Sequence, residues 1–126
     1  MRLLLDTHAL IWAMAQSRSL SSRVAALLAD RTNTILVSVA SAYEIEFKRP
    51  RSPELGGLPA DLDGAVEAME FDWLHVTPTH ATTAGRLPRL HGDPFDRLIV
   101  AQALTEQATV LTRDPLIARY GAPVIW

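Results

Sequence analysis

The stretch Arg2-Leu3-Leu4-Leu5-Asp6-Thr7-His8-Ala9-Leu10 decides how the rest of the chain is read. It begins with a short apolar run that stops at an acid, the pattern of a strand buried on both faces. From Thr7 to Ala15 the residues are those of a helix. The longest uninterrupted apolar run, Ala9 to Ala15, lies inside that helix. A strand that ends on a carboxylate and turns at once into a helix is one half of a β-α-β unit.

Working outward, the same alternation recurs. Leu20, Val24, Leu27 and Leu28 follow Ser21 and Ser22 at helical spacing, so a second helix is expected to about Asp30. Thr34 to Ser38 is β-branched and apolar, a second strand, and Val39 to Lys48 is a helix halted near Pro50. Arg49 to Pro59 carries prolines and glycines and reads as a loop. A helix over Asp61 to Phe71, a strand over Trp73 to Thr77 and a helix over Thr79 to Leu87 come next. Pro88 to Asp93 is a loop. Phe95 to Gln107 is the strongest helix, with Leu98, Ile99, Ala101, Gln102 and Leu104 giving an apolar stripe. Ala108 to Thr112, Pro115 to Tyr120 and Val124 to Trp126 complete the chain as strand, helix and strand.

Strands alternating with helices require right-handed crossovers. The expected fold is therefore α/β, a mainly parallel central sheet of about five strands with helices on both faces, in one domain over residues 1–126. Such sheets place their sites beyond the carboxyl ends of the strands.

Composition narrows the chemistry. The chain has 126 residues, 48% hydrophobic and 21% charged, which suits a globular domain. It has no cysteine, so disulfides, thiolate zinc and cysteine nucleophiles are excluded. Asp6 and His8 interrupt the apolar opening, and no run approaches membrane-span length, so a cytoplasmic protein is expected. The net charge of −2 does not suggest a polyanion partner. Four acids gathered around a metal would leave a small positive excess on the remaining surface, which a polyanion tolerates.

Four acids stand at element ends on the same edge of the expected sheet. Asp6 closes the first strand, and Glu44 lies in the helix after the second. Asp96 falls in the first turn of the long helix, and Asp114 follows the fourth strand. Each has an ordinary explanation. Asp93-Pro94-Phe95-Asp96 and Asp114-Pro115 are helix starts, Asp6 is able to cap the first helix, and Ser41-Ala42-Tyr43-Glu44 has the form of a capping box. The set is harder to explain so. Glu44 sits in an otherwise apolar helix and Asp6 follows a buried strand, and an unpaired buried carboxylate is strongly unfavourable.

Carboxylates without His or Cys ligands call for a hard cation, Mg²⁺ or Mn²⁺ before Zn²⁺. Sites of that kind act on phosphate esters. Thr7 and Thr112 are candidates to hold water beside the ion. Arg97 and Arg113 are the basic neighbours of the acids, His91 lies in the loop beside them, and Lys48 opens a basic run. These four are the candidate substrate contacts. No GxSxG, HExxH, Walker A or GxGxxG sequence is present.

Four blocks in order carry a resemblance over nearly the whole chain. They are Leu4-Leu5-Asp6-Thr7-His8-Ala9-Leu10, Ser38-Val39-Ala40-Ser41-Ala42-Tyr43-Glu44-Ile45, His91-Gly92-Asp93-Pro94-Phe95-Asp96-Arg97-Leu98-Ile99-Val100-Ala101-Gln102-Ala103, and Leu111-Thr112-Arg113-Asp114-Pro115. They resemble PIN-domain proteins, and more closely the VapC-type ribonuclease toxins of type II toxin–antitoxin pairs. The resemblance implies a PIN-like fold and an acidic quartet of Asp6, Glu44, Asp96 and Asp114 around Mg²⁺ or Mn²⁺. It also implies endonucleolytic cleavage of RNA, a homodimer, and a cognate VapB-like antitoxin. Asp93 is an extra acid of this subgroup and ranks below Asp96 as a ligand. Tyr43 stands where tryptophan is common, and Val100 replaces a frequent isoleucine or alanine. On this reading Asp6, Asp96 and Asp114 are the main ligands, and Glu44 holds a water or a second ion.

Two other readings are open. A receiver-type phosphoacceptor domain needs an acid pair after the first strand, an acceptor Asp after the third, and a lysine near the end. Here Asp6 stands alone, Thr77-Pro78 follows the third strand, and Lys48 is the only lysine. A catalytically silent RNA-binding module would keep the fold but has no need of the intact quartet.

Overall fold

The computed structural model describes residues 1–126. Five strands, β1 (Arg2–Leu5), β2 (Thr34–Ser38), β3 (Asp72–Leu74), β4 (Thr109–Leu111) and β5 (Val124–Ile125), form one sheet in the order β3-β2-β1-β4-β5. Every pairing is parallel. The helices are α1 (Thr7–Met14), α2 (Ser22–Ala29), α3 (Val39–Lys48), α4 (Leu62–Ala68), α5 (Pro78–Arg86), α6 (Pro94–Glu106) and α7 (Pro115–Ala118). The α/β expectation of five parallel strands among helices holds.

The leucine run explains why β1 is central. Leu3, Leu4 and Leu5 are all fully buried. Alternate side chains leave a strand on opposite faces, so Leu3 and Leu5 join Ile35, Val37, Leu10, Val24 and Leu111 in one core. Leu4 joins Leu36, Val110, Ile99, Val100 and Ile117 in the other. Burying each such side chain is worth roughly 1.5–3 kcal/mol. A strand carrying three of them must be covered on both sides, which is what α/β layering provides. None of the helices is long and apolar enough to cross a membrane.

Two segments differ from the sequence reading. Arg49–Pro59 is not plain loop: it holds two 3₁₀ turns, Arg49–Arg51 and Pro53–Gly57. Their order comes from Arg49, whose guanidinium donates to the carbonyls of Leu55 (3.1 Å), Leu58 (3.2 Å) and Pro59. Prolines and glycines hide that order, because it is imposed by one side chain. The third strand lies earlier than expected, at Asp72–Leu74 and not Trp73–Thr77. Its partner β2 becomes α3 at Val39, so the ladder ends at the Ser38–Leu74 pair. The Gln102 side chain takes up the carbonyls of Leu74 and His75 instead.

Candidate active site

β1 and β4 are neighbours, but the chain leaves them in opposite directions, towards β2 after β1 and towards β5 after β4. This is the switch point of the sheet, where the carboxyl ends of adjacent strands open a crevice. Asp6 follows β1, and its backbone N–H donates to Leu111 O at 3.2 Å, tying the end of β1 to the end of β4. Asp114 follows β4 on the other side of the crevice. Asp6, Asp114, His8, Trp12 and Arg113 line one cleft of about 260 Å³.

Three helices begin at this edge, and each starts on an acid. Asp6 Oδ1 accepts from Ala9 N at 2.8 Å, Asp93 Oδ1 from Phe95 N and Asp96 N, and Asp114 Oδ1 from Leu116 N at 2.9 Å. Capping uses one carboxylate oxygen of each. The backbone N–H ends of α1, α6 and α7 thus set the position of the acids, and their dipoles favour negative charge there.

Glu44 enters from α3. Its side chain is buried, with Oε2 held by Lys48 one helical turn on and Oε1 left without any hydrogen-bond partner. Thr7 and Lys48 line the same groove as Glu44, together with His8 and Trp12. The Thr7 hydroxyl bonds Ser41 Oγ at 3.0 Å, which ties α1 to α3. Thr112 accepts from Asp114 N at 3.0 Å and also supports the Asp6 carboxylate.

Asp96 is the most perturbed acid. Burial first, and then the charges of Asp93, Glu44 and Asp6, push its pKa up to about 6, against the pull of a His91 hydrogen bond. Burial also raises Asp6, with the Asp114 charge adding to the effect. The Glu44 hydrogen bond raises the Lys48 amine, helped by Asp93 and Asp96. These mutual influences show that the five acids share one field. Their side chains do not form a ready ligand cage, since no three His, Asp or Glu groups converge on a common point.

An oxygen-binding cation fits this residue set. Glu44 Oε1 is a buried acceptor with nothing to accept from. Asp6 and Asp96 are carboxylates whose charge burial penalises. Both conditions are relieved by a positive charge between them, and the all-oxygen donors suit Mg²⁺ or Mn²⁺.

The expected substrate contacts divide. Lys48 is at the site, paired with Glu44. Arg113 is exposed in the Asp6–Asp114 cleft, and His91 reaches Asp96. Arg97 is a correction. It is buried, and its guanidinium donates to the carbonyls of Ala84, Leu87 and Pro88 at 2.8–2.9 Å, so its charge is spent on securing the end of α5 and not turned towards the acids. A side chain one residue past a ligand on a helix points about 100° away from it, which proximity in sequence conceals.

Residues missing from the sequence reading include Tyr120, whose hydroxyl meets His91 Nδ1, and Ser41. Trp12, in an apolar helix, lines both clefts. No local pattern marks Tyr120, because only the fold brings it to the 88–93 loop. Concavity alone also misleads here. The largest cleft, about 670 Å³ between α5 and the start of α6, contains none of the four acids.

The parallel α/β sheet thus gathers acids from four segments of the chain at its switch point. The sequence supplies the family: residues 3–123 match the PIN domain, and the chain belongs to the PIN domain family. It is 26% identical over 121 residues to Ribonuclease VapC22 of Mycobacterium tuberculosis, spanning 95% of this chain and 92% of that protein. In structure it resembles chains of VapBC2 from Rickettsia felis bound to a DNA fragment from their promoter, with TM-score 0.74 and 20% identity, covering 100% of this chain and 98% of that one. It also resembles DNA-bound VapBC from Salmonella typhimurium, with TM-score 0.75 and 14% identity over 99% and 97% of the two chains. FitAcB from Neisseria gonorrhoeae gives 0.68 at 18% identity, covering 98% of this chain and 96% of that chain.

Proposed function

We propose that this protein is the VapC-type toxin of a type II toxin–antitoxin pair, an endoribonuclease that requires Mg²⁺ or Mn²⁺. The observation that carries this reading is the burial of Glu44, with a partnerless Oε1, in the same field as Asp6, Asp96 and Asp114 at the switch point of a PIN fold. The likeness to a protein named a ribonuclease supports the RNA substrate. The fold shared with chains from VapBC structures supports a VapB-like antitoxin as partner. The aromatic residues Tyr43 and Phe47, exposed on α3, support a homodimer.

Asp6, Asp96 and Asp114 would hold the divalent ion, with Asp93 as a further acid beside Asp96. The ion, when bound, supplies Lewis-acid activation of water and offsets charge on the phosphate. Glu44 Oε1 accepts a hydrogen bond from the attacking water and orients it. His91 links Tyr120 to Asp96 and so steadies that carboxylate, and Thr112 holds the Asp114 turn. The α1, α6 and α7 N-termini fix Asp6, Asp93 and Asp114 at one edge of the sheet through one oxygen each, and side-chain rotation would bring the remaining oxygens onto an ion.

The test is cleavage of RNA by purified protein with Mg²⁺ or Mn²⁺, and again after EDTA. Hydrolysis by water leaves 5′-phosphate and 3′-hydroxyl ends. Recovery of 2′,3′-cyclic phosphates, or cleavage undiminished by EDTA, would overturn the proposal.

A further inference from the structure

Arg113 sits beside Asp6 and Asp114 in their cleft, yet it forms no ion pair with either. Its guanidinium lies over the Trp12 ring instead, 4.5 Å from the centroid. Trp12 is itself held from two sides, by His8 at 5.5 Å and by the edge contact of Trp126 at 5.6 Å. An exposed arginine next to carboxylates ordinarily swings to them. Here stacking on an aromatic face, an attraction arginine forms readily, keeps the charge at the rim of the cleft and out of the acid cluster.

From this we infer that Arg113 is the residue that grips the RNA strand, binding the phosphate next to the one cut, and that Trp12 is the positioning residue that holds it flat. The inference rests on the ribonuclease reading and adds the anchoring contact to it. Three features support the assignment. The guanidinium donates no hydrogen bond within the protein, so its N–H groups are free for phosphate oxygens in the paired geometry that arginine offers and lysine does not. Its outer face is open, and a flat cation accepts an unpaired base by stacking. Its position at the mouth of the Asp6–Asp114 cleft places a bound phosphate beside the acids and not among them, so it offsets the repulsion that five carboxylates exert on a polyanion.

A short unstructured RNA with a fluorescent end label is the probe. Its binding is followed by anisotropy across a salt series on an Asp96→Asn background, so that cleavage does not consume it. Arg113→Ala is expected to weaken binding about tenfold and to lower the slope of log affinity against log salt by about 0.7, the loss of one phosphate contact on a single strand. In the cleaving protein the same change raises KM and leaves kcat within a few-fold. Arg113→Lys keeps the salt slope but recovers only part of the affinity, because a point charge neither forks nor stacks. Trp12→Phe, which keeps a smaller aromatic face, retains more of the affinity than Trp12→Ala. Trp12→Ala weakens binding less once Arg113 is already alanine, the non-additivity of residues that act together.

Arg113 is exposed, so its alanine variant folds even if Trp12→Ala does not. If Arg113→Ala leaves both KM and the salt slope unchanged in a protein that cleaves RNA, the inference is overturned. It is equally overturned if Arg113→Ala abolishes antitoxin binding while RNA KM is unaffected. Absence of cleavage by wild type with Mg²⁺ and Mn²⁺, alongside salt-dependent RNA binding that Arg113→Ala weakens, would sink the ribonuclease reading and leave the RNA contact standing.

Discussion

His91 Nε2 lies 3.2 Å from Asp96 Oδ2, and the opposite nitrogen of the same ring meets the Tyr120 hydroxyl. With Asp96 ionised, Nε2–H donates to the carboxylate and Nδ1 accepts from Tyr120, so one tautomer serves both bonds. A loop histidine thus aims an acid on α6, and a tyrosine at the end of α7 aims the histidine. On the proposed function Asp96 is a metal ligand, and groups standing behind such a ligand typically govern affinity or activity by about 10–100-fold.

His91→Ala should accordingly lower Mn²⁺ affinity or cleavage by about 10–100-fold, and Tyr120→Phe by less, since the ring contact survives the loss of the hydroxyl. Titration of the metal by calorimetry, beside cleavage rates, checks the order. Equal affinity in all three proteins would mean that Asp96 does not depend on this chain of bonds.

Asp6→Asn and Asp96→Asn should each lose metal-dependent cleavage by more than the about 100-fold expected of supporting residues. Both variants should stay folded. Asparagine caps a helix about as well as aspartate, so the Asp6 bond to Ala9 persists, and each change removes a carboxylate whose charge burial disfavours. Rates and a thermal melt of the metal-free proteins test the two halves separately. Retained activity would remove the residue from the site.

The raised Asp96 pKa has a definite sign in stability. Between the ordinary carboxylate range and about 6, the folded protein holds a proton that the unfolded chain has released. Stability therefore falls as pH rises through that window. The Asp6 shift acts in the same direction. The metal-free protein should melt at a lower temperature at pH 7 than at pH 5, and saturating Mg²⁺ should narrow the gap, because the ion replaces the proton. Melting curves at both pH values, with and without Mg²⁺, are the measurement.

Lys48 is the positive charge that the metal-free site already has. Lys48→Met should destabilise the metal-free protein by about 1 kcal/mol, a modest figure because the amine is half exposed and screened. The stabilisation gained on adding Mg²⁺ should be greater in the variant than in wild type. Identical Mg²⁺-induced shifts would show that the lysine and the ion do not share the Glu44 carboxylate.

Arg97→Ala should cost about 3 kcal/mol, since three carbonyls lose a charged donor in a buried position. Loss of activity should follow the loss of folded protein. A melt of the variant, with activity corrected for the folded fraction, separates this from a substrate contact.

The local pattern along this chain determined the elements, because each signal needs only neighbours. The leucines of β1 announce a strand buried on both faces, Asp93-Pro94 and Asp114-Pro115 announce helix starts, and the caps found there are the ones that those residues form. The acids were likewise legible as candidates, since a carboxylate placed inside an apolar helix, as Glu44 is, needs a positive partner, and the structure gives it Lys48. What the linear pattern could not settle was direction and partnership. Arg97 and Arg113 each stand one residue from an acid, yet one turns inward to carbonyls and the other lies on Trp12 in the open cleft. Only the packing of α5 against α6, and of Trp12 of α1 against the turn after β4, decides that, because a side chain's neighbours in space come from segments remote in sequence. Tyr120 shows the same limit: its role exists because the fold returns the end of α7 to the 88–93 loop.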